Sequence, residues 1–272
     1  MNDEQSGYSC LNRFDMVDAT GEAEKFIAFL DRVEALPEVI ARRHRSYERL
    51  ALQSGMFVAE IGCGTGTATR ELAALVHPGG HVYGFDISGQ FITLARARAF
   101  AASAKVEFQV ADAATLPLAD GCLDAYRAER VYMHLKRPET ALSEAFRVLR
   151  PGGRLLVMDQ DWDSLLFDGD LYATRLVTRA FADSMVNGMI ARRMRGLLLD
   201  AGFKDVTVVS EAVTHSDGQA YGWMAETVGK AAMASTLDPA IVEAWIADQR
   251  RRIEDDRYFF SSTHLVTSGR RP

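Results

Sequence analysis

Residues 57–66 read Phe-Val-Ala-Glu-Ile-Gly-Cys-Gly-Thr-Gly, a short apolar run that ends in a glycine-rich loop. An apolar run of this length, bounded by glycines, is typical of a buried strand. Leu72, Leu75 and Val76 follow the loop at helical spacing. Glycines let the backbone turn sharply and approach a ligand closely, because no Cβ stands in the way. The stretch therefore predicts a strand, a ligand-binding loop and a helix, in that order.

Short apolar runs alternate with helical patterns over residues 57–159, which indicates βαβ units and a largely parallel sheet. The expected fold class is α/β, a Rossmann-like sheet with helices on both faces. The strands are predicted in chain order at Phe57–Ile61, His81–Phe85, Val106–Val110, Leu123–Ala128, Arg154–Met158, Lys204–Ser210 and Tyr258–Thr267. Helical patches and no strand are predicted over residues 161–190.

We expect residues 1–50 to form a helical lid segment, in which Tyr8, Arg13 and Phe14 fold over the ligand. Residues 51–272 are expected to form one Rossmann-like domain with helical insertions at about 162–190 and 217–256. The lid is inferred by analogy between folds and not from a motif.

The composition is that of an ordinary globular protein, with 272 residues, 48% hydrophobic residues and a formal net charge of −6. An acidic balance argues against nucleic-acid binding, which depends on a basic face. Cys10, Cys63 and Cys122 show no paired spacing, which suits a reducing compartment. No secretory signal or membrane-spanning run is visible, so we expect a cytoplasmic monomer or homodimer that contacts neither membrane nor nucleic acid.

Acidic residues mark the ends of three successive predicted strands. Glu60 closes the first, Asp86 directly follows the second, and Asp112 follows the third. The dinucleotide-binding motif has a third glycine at the position of Thr67. A carboxylate at Glu60 would also repel a diphosphate. Asp86 is placed to accept hydrogen bonds from ribose hydroxyls, and Asp112 from an exocyclic amine. These acids favour a cationic nucleoside over NAD.

Four stretches resemble the class I S-adenosylmethionine-dependent methyltransferases, in particular the small-molecule branch that includes the ubiquinone and menaquinone biosynthesis enzymes. They are E-I-G-C-G-T-G, F-D-I-S-G-Q-F, V-A-D-A-A-T-L-P-L and R-V-L-R-P-G-G-R-L-L-V, in the family's order. The resemblance implies seven strands, with one antiparallel strand between the fifth and the sixth, for which Tyr258–Thr267 is the candidate.

The resemblance also implies S-adenosyl-L-methionine as cofactor and S-adenosyl-L-homocysteine as product. The residues expected to hold the cofactor are Glu60, Gly62, Cys63, Gly64, Gly66, Asp86, Ile87, Phe91, Asp112, Ala113 and Arg130. Members of this group often carry methionine where Phe91 stands, so the adenine is expected to rest partly on an aromatic ring.

The acceptor side is less determined by the sequence. His134, just beyond the fourth strand, and Asp161, after the fifth, are the candidate general bases, whereas His215 and His264 look less well placed. Trp162, Asn187 and Met189 are expected to bind the acceptor. No metal is expected, because the Asp159–Ser164 run lacks the glycine of a calcium loop. A packed or capping role remains an alternative for each of these residues.

Methyl transfer to an oxygen, nitrogen or carbon nucleophile of a small-molecule, specialised-metabolite acceptor is the function that these features favour. Two alternatives remain: a catalytically silent protein that binds S-adenosylmethionine, and an NAD(P)-dependent oxidoreductase. The oxidoreductase is disfavoured by Thr67 and Glu60 and by the lack of a Tyr-x-x-x-Lys pair. Glu129-Arg130-Val131-Tyr132 stands where a nucleic-acid or protein methyltransferase carries an Asn/Asp-Pro-Pro-aromatic motif.

Overall fold

A computed structural model describes residues 13–102 and 104–272 of the chain. Tyr8 and Cys10, named above, lie outside the described residues. The structure forms a seven-stranded sheet covered by helices on both faces. The strands are β1 (Phe57–Ile61), β2 (His81–Asp86), β3 (Glu107–Val110), β4 (Leu123–Glu129), β5 (Leu149–Phe167), β6 (Lys204–His215) and β7 (Phe260–Arg270).

Helices precede and connect these strands. They are α1 (Val17–Thr20), α2 (Ala23–Glu34), α3 (Pro37–Leu50), α4 (Thr67–Val76), α5 (Gly89–Ala101), α6 (Pro138–Val148), α7 (Leu171–Ser184), α8 (Ile190–Asp200), α9 (Gly218–Tyr221), α10 (Trp223–Met233) and α11 (Pro239–Glu254). Short 3₁₀ turns lie at Phe14–Met16 and Tyr132–His134. In the part of the chain that the structure describes, no helix is long and apolar enough to span a bilayer.

The strand order is β3-β2-β1-β4-β5-β7-β6. The pairs among β1 to β5 are parallel, whereas β7 runs antiparallel to both β5 and β6. The prediction of a mostly parallel seven-stranded sheet, with the last strand in sequence inserted antiparallel between the fifth and sixth, is confirmed. The chain order reverses at β1 and β4, and open α/β sheets bind ligands beside such a switch point.

One strand prediction was wrong. Residues 161–190 were expected to lack strands, but β5 continues to Phe167, and its extension pairs Leu166 with Ser261 and Phe167 with Phe260 of β7. The register shifts between Asp161 and Leu166. The antiparallel partner supplies ladder hydrogen bonds that the local pattern of Trp162–Phe167 does not reveal, since pairing with a distant segment overrides propensity.

Alternation along β1 directs neighbouring side chains into opposite layers of the core. Val58 packs with Leu72 and Val76 of α4 on one face. Ala59 and Ile61 belong to the larger apolar cluster on the other face, with the buried aromatic residues of α2. The same alternation decides which residues of each strand reach the ligand-binding side.

Candidate active site

The loop after β1 has a backbone that only glycine adopts easily. Gly62 and Gly64 have φ values of +63° and +52°, in the left-handed region. A Cβ on Gly62 would also clash with Cγ2 of Val131 in the loop after β4. The loop is held in place by Asp86 of β2, whose Oδ2 accepts a hydrogen bond from the Gly64 amide at 2.9 Å. The glycine spacing thus brings the ends of β1, β2 and β4 into contact.

The ends of the first three strands open into one cavity of about 520 Å³. Asp86, at the end of β2, is 9% exposed, and its Oδ1 accepts a hydrogen bond from the Ser88 amide at 3.0 Å. Asp112, after β3, accepts from the Ala114 amide at 2.8 Å and lines the same cavity. Ile87, half exposed, lines the same cavity. Two carboxylates and an apolar side chain therefore share one end of the cavity.

Ten of the sequence-predicted site residues line this cavity. They are Gly62, Gly64, Asp86, Ile87, Phe91, Asp112, Ala113, Arg130, His134 and Trp162. Phe91 is buried, and the ring of Phe14 lies 6.5 Å from it, centroid to centroid. Side chains of α2 and α3 close the opposite side, among them Phe29, Leu30 and Val39.

Glu60 does not line the cavity. Its neighbour Ile61 does, so alternation turns Glu60 to the other face of the sheet. There its carboxylate binds Nη1 of Arg127, whose Nη2 binds Glu129 at 2.6 Å and whose Nε binds Ser46 at 2.7 Å. Burial raises the pKa of Glu60 to about 7 against the attraction of Arg127. Glu60 thus contributes to a buried ion cluster instead of meeting a ligand directly.

Cys63 and Gly66 pack on the side of the loop that faces away from the cavity. Cys63 is buried in an apolar cluster with Phe108 of β3, and its amide donates to Phe85 at 2.9 Å. Gly66 has φ +82°, and a Cβ on it would come within 2.7 Å of the Phe108 ring. Neither residue lines the cavity, so their contribution is to the shape of the turn.

Charged groups of β4 and α3 form the cavity wall beside the loop. Arg42 is 3% exposed, and its Nη2 lies 3.8 Å from Glu129, which Arg130 also approaches at 4.0 Å. Although burial opposes it, the attraction of Arg127, Arg130 and Arg42 lowers the pKa of Glu129 to about 2. Arg130 adopts φ +57°, an uncommon conformation for a side-chain-bearing residue, and its amide donates to Met158 at 2.8 Å.

Several polar atoms of this wall have no hydrogen-bond partner among the described residues. They are Oε2 of Glu34, Nε of Arg42, Oε1 of Glu129, Nδ1 of His134 and Nδ1 of His264. All five residues line the cavity. Buried polar atoms are nearly always hydrogen-bonded to protein, ligand or ordered water, so this wall is suited to a polar ligand.

His134 lies in the 3₁₀ turn after β4, with the Phe14 ring 5.7 Å away. Burial, with a smaller contribution from Arg130, lowers the pKa of His134 to about 4. The imidazole is therefore neutral at physiological pH. A neutral imidazole can accept a proton or a hydrogen bond from a group in the cavity.

Asp161, the second base candidate, lies away from the cavity. Gln160 and Trp162 line it, so Asp161 between them faces the opposite side of β5. Its two oxygens bind Arg192 of α8 in a bidentate pair, at 2.7 Å and 2.8 Å. Asp161 therefore does not face a ligand bound in the cavity. In the described chain no acidic, histidine or cysteine cluster forms a metal site.

Of Trp162, Asn187 and Met189, which were expected to bind the acceptor, only Trp162 lines the cavity. Trp162 lines the cavity, and its indole donates to Sδ of Met133 at 3.2 Å. The side-chain amide of Asn187 donates to the Leu135 carbonyl, and its backbone amide to the Met133 carbonyl at 3.0 Å. Asn187 thus anchors the turn that carries His134. Met189 directly precedes α8, makes no side-chain capping hydrogen bond and does not line the cavity.

Apart from Trp162, the sequence did not point to the far wall of the cavity, which β5, β6, β7 and α10 supply. Gln160, His215, Trp223, Ser262 and His264 all line it, although both histidines looked poorly placed from the sequence. The strands themselves were predicted. What the sequence lacked was a signal for which alternate residues of each strand face inward.

Comparisons with known proteins agree with this geometry. A family model described as a methyltransferase domain matches residues 59–157. The chain is 32% identical over 187 residues to the ubiquinone/menaquinone biosynthesis C-methyltransferase UbiE of Pseudomonas syringae pv. tomato, covering 60% of this chain and 73% of that protein. It is 34% identical over 172 residues to the O-methyltransferase cnsE of Penicillium expansum, covering 62% and 60%.

A further relative, an uncharacterized 37.1 kDa protein in transposon TN4556 of Streptomyces fradiae, is 40% identical over 196 residues, which cover 71% of this chain and 56% of that protein. The matched part of the chain thus spans less than two thirds of this relative and of cnsE.

Solved structures share the fold at low sequence identity. A phosphoethanolamine N-methyltransferase 2 of Haemonchus contortus superposes with a TM-score of 0.62 at 16% identity, over 96% of this chain and 60% of that one. The [4+2]-cyclase SpnF superposes with a TM-score of 0.54 at 21% identity, over 85% and 80%. With the glycine loop and the strand-end acids around one cavity, the relationship to UbiE shows that this chain belongs to the class I S-adenosylmethionine-dependent methyltransferases.

Proposed function

We propose that the chain binds S-adenosylmethionine in the cavity between the β1 loop and helices α2 and α3, and that it methylates a small-molecule acceptor held beside it. The observation that carries the proposal is the convergence of Gly62, Gly64, Asp86 and Asp112 on one cavity with unpartnered polar atoms. S-adenosylmethionine, when bound, supplies a methyl group on a sulfonium, which an oxygen, nitrogen or carbon nucleophile takes by in-line displacement.

The residues present fit this cofactor. Asp86 and Asp112 offer carboxylate acceptors for ribose hydroxyls and an adenine amine, with Ile87, Phe91 and Ala113 as apolar neighbours. Oε2 of Glu34 is an acceptor without a hydrogen-bond partner among the described residues, suited to the ammonium or the sulfonium group. A diphosphate would meet these carboxylates instead of a basic loop, which disfavours NAD(P).

The chain's own contribution to the reaction is alignment, exclusion of water and proton handling. Phe14, Phe29 and Trp223 line the cavity and shield its interior from solvent. Holding donor and acceptor in one geometry lowers the barrier by removing the entropic cost of their encounter. Some acceptors must lose a proton before they can take the methyl group. For these we assign proton removal to Nδ1 of His134, which has no hydrogen-bond partner among the described residues.

A second candidate function is retained because of one comparison. SpnF has this fold and is named a cyclase, so the fold does not by itself require methyl transfer. Under this alternative the chain binds S-adenosylmethionine without transferring its methyl group. The two functions share the cofactor site and differ only in turnover.

Two measurements test the proposal. Calorimetry should show binding of S-adenosylmethionine and S-adenosylhomocysteine and none of NAD or NADP, and binding of NAD in their place would contradict it. Release of S-adenosylhomocysteine is then followed over a panel of phenols, amines and carbon acids. Turnover with any of them supports methyl transfer, whereas tight cofactor binding without turnover across the panel favours the second candidate.

A further inference from the structure

The far wall of the cavity carries a small face of neutral polar side chains on adjacent strands. Gln160 of β5 and His264 of β7 are register partners in the antiparallel ladder. Ser262 lies two residues from His264, so both side chains point to the same face. The three residues are 6%, 6% and 2% exposed, in the order Gln160, His264, Ser262, and all line the cavity.

This face needs a hydrogen-bonding partner that the described chain does not provide. Nδ1 of His264 is buried and has no partner among the described residues. Burial, and Arg42 after it, hold the pKa of His264 well below its usual value, so the ring is neutral. A neutral imidazole, a hydroxyl and a carboxamide each both donate and accept, which matches an uncharged oxygen group.

The arginine nearest this face is already paired with a carboxylate. Arg42 lies 3.8 Å from Glu129, and Glu129 also binds Arg127. Glu38 accepts a hydrogen bond from the Tyr221 hydroxyl at 2.9 Å and lies 3.6 Å from Nε2 of His215. Arg42 is held by Glu129 and offers no free positive charge to an anion, and Glu38 already accepts from a neutral hydroxyl. Gln160, Ser262 and His264 are themselves neutral, so a charged group buried against them would lose its hydration without gaining an opposite charge, and this face favours an uncharged ligand.

Flat rings flank the polar face. His215 stacks on Tyr221, with ring centroids 3.5 Å apart and planes at 14°, and it lies parallel to Phe260 at 6.0 Å. Trp162 and Trp223 also line this part of the cavity. Such a wall suits a planar apolar body, because aromatic rings gain from offset stacking and edge contacts.

We propose that Gln160, Ser262 and His264 form the recognition face for an uncharged hydroxyl or carbonyl oxygen of a flat methyl acceptor, whose body packs against the neighbouring rings. The inference rests on the proposed function and narrows its acceptor to neutral aromatic molecules. Lys136 and Arg137 are exposed at the cavity mouth, so a phosphorylated acceptor is the competing class that the experiment has to separate.

Three probes share one ring system and differ in charge: 1-naphthol, 1-naphthyl phosphate and 1-naphthylmethylamine. Each is titrated by calorimetry into the full chain saturated with S-adenosylhomocysteine. We expect 1-naphthol to bind, and the two charged probes to bind about tenfold more weakly or worse. Tighter binding of the phosphate or of the amine would overturn the inference, as would a lack of 1-naphthol binding at millimolar concentration.

Variants locate the binding face. Gln160→Leu and His264→Leu should each weaken 1-naphthol binding by roughly five- to a hundredfold, since an oxygen is left without its partner. His264→Gln, which keeps a neutral hydrogen-bonding group, should recover part of the loss. Thr263→Val is the matched control, because Thr263 lies between Ser262 and His264 on the same strand and faces away from the cavity. Equal effects of Thr263→Val and His264→Leu would contradict the assignment.

S-adenosylhomocysteine is titrated separately into every variant. Wild-type chain that fails to bind it contradicts the proposed function. Chain that binds it but does not discriminate among the naphthyl probes contradicts only the recognition face.

Discussion

Oδ2 of Asp86, at the end of β2, accepts a hydrogen bond from the backbone amide of Gly64 at 2.9 Å. Asp86 also lines the cavity, so the same carboxylate faces the ligand site and fixes the loop at its edge. Its Oδ1 accepts from the Ser88 amide, so the side chain cannot rotate without breaking two hydrogen bonds. A ligand that binds Asp86 meets a carboxylate already oriented by the backbone, and orientation in advance lowers the cost of binding.

Asp86→Ala should weaken S-adenosylhomocysteine binding by about 1–3 kcal/mol, because ribose hydroxyls and the Gly64 amide lose their acceptor. Asp86→Asn keeps one acceptor oxygen and should lose less. Calorimetry measures both, with Glu243→Gln on the exposed face of α11 as a control for the loss of an acid. Unchanged affinity in Asp86→Ala would remove the ribose assignment.

Comparing Gly62→Ala with Gly21→Ala separates the cost of a positive φ from the cost of a steric clash. Gly62 and Gly21 have similar φ values, +63° and +69°, but a Cβ on Gly21 would meet nothing within 4 Å, whereas one on Gly62 would clash with Val131. We expect Gly21→Ala to cost about 1–2 kcal/mol of unfolding free energy and Gly62→Ala distinctly more. Urea unfolding measures both.

Adding Val131→Ala to Gly62→Ala removes the Cγ atoms that would clash and should restore part of the stability and of the S-adenosylhomocysteine affinity. The double variant is compared with Val131→Ala alone. Equal costs for Gly62→Ala and Gly21→Ala would show that the contact with Val131 does not constrain the loop.

The sequence predicted the carboxyl ends of the strands better than their faces. Asp86 and Asp112 could be placed at the cavity because each directly follows an apolar run, and all parallel strands end at the same edge. Glu60 and Asp161 were expected there too, but each lies one residue out of phase with a neighbour that does line the cavity. A shift of one residue moves a strand side chain to the other face, and no local pattern fixed that phase in strands buried on both sides.

The far wall was missed for a related reason. Ser262 and His264 lie on a strand predicted nearly in full, yet their inward direction depends on pairing with β5 and β6, which are distant in sequence. The run Arg42-Arg43-His44-Arg45 alone suggests an exposed basic helix face, yet Arg42 is 3% exposed, because α3 packs on the sheet beside Glu129. Tertiary contacts of this kind leave no trace in helical spacing alone.

His134→Ala should lower turnover by about 10²–10⁴-fold if the acceptor must lose a proton, while S-adenosylhomocysteine affinity stays near that of the wild type. Because the folded-state pKa of His134 is about 4, the imidazole stays neutral as the pH falls from neutral to mildly acidic values. The rate should therefore show no protonation step of this residue near its ordinary pKa. Initial rates across this range, with the acceptor that the panel identifies, provide the measurement.

Asp161→Asn is the matched comparison for His134→Ala. Its carboxylate is paired with Arg192 outside the cavity, so the variant should lose some stability and keep its turnover. Lost turnover in Asp161→Asn, with normal turnover in His134→Ala, would reverse the assignment of the base.

The burial of Asp159 leads us to expect an unusual dependence of the unfolding free energy on pH. It is 1% exposed, and within the described chain neither carboxylate oxygen has a hydrogen-bond partner. Burial raises its pKa to about 8, partly opposed by the backbone amides of the Val131–Met133 turn, which approach the carboxylate without meeting hydrogen-bond geometry. A raised folded-state pKa means that the folded chain keeps a proton that the unfolded chain releases near pH 4. The stabilising contribution is therefore complete in acid and is lost as the pH rises towards 8, by an amount on the order of 3–5 kcal/mol.

Asp159→Asn stays neutral, so its unfolding free energy in urea should fall less between about pH 5 and pH 9 and exceed that of the wild type at the alkaline end. Glu243→Gln should follow the wild-type curve, and parallel curves for Asp159→Asn and the wild type would mean that Asp159 is ionised in the folded chain.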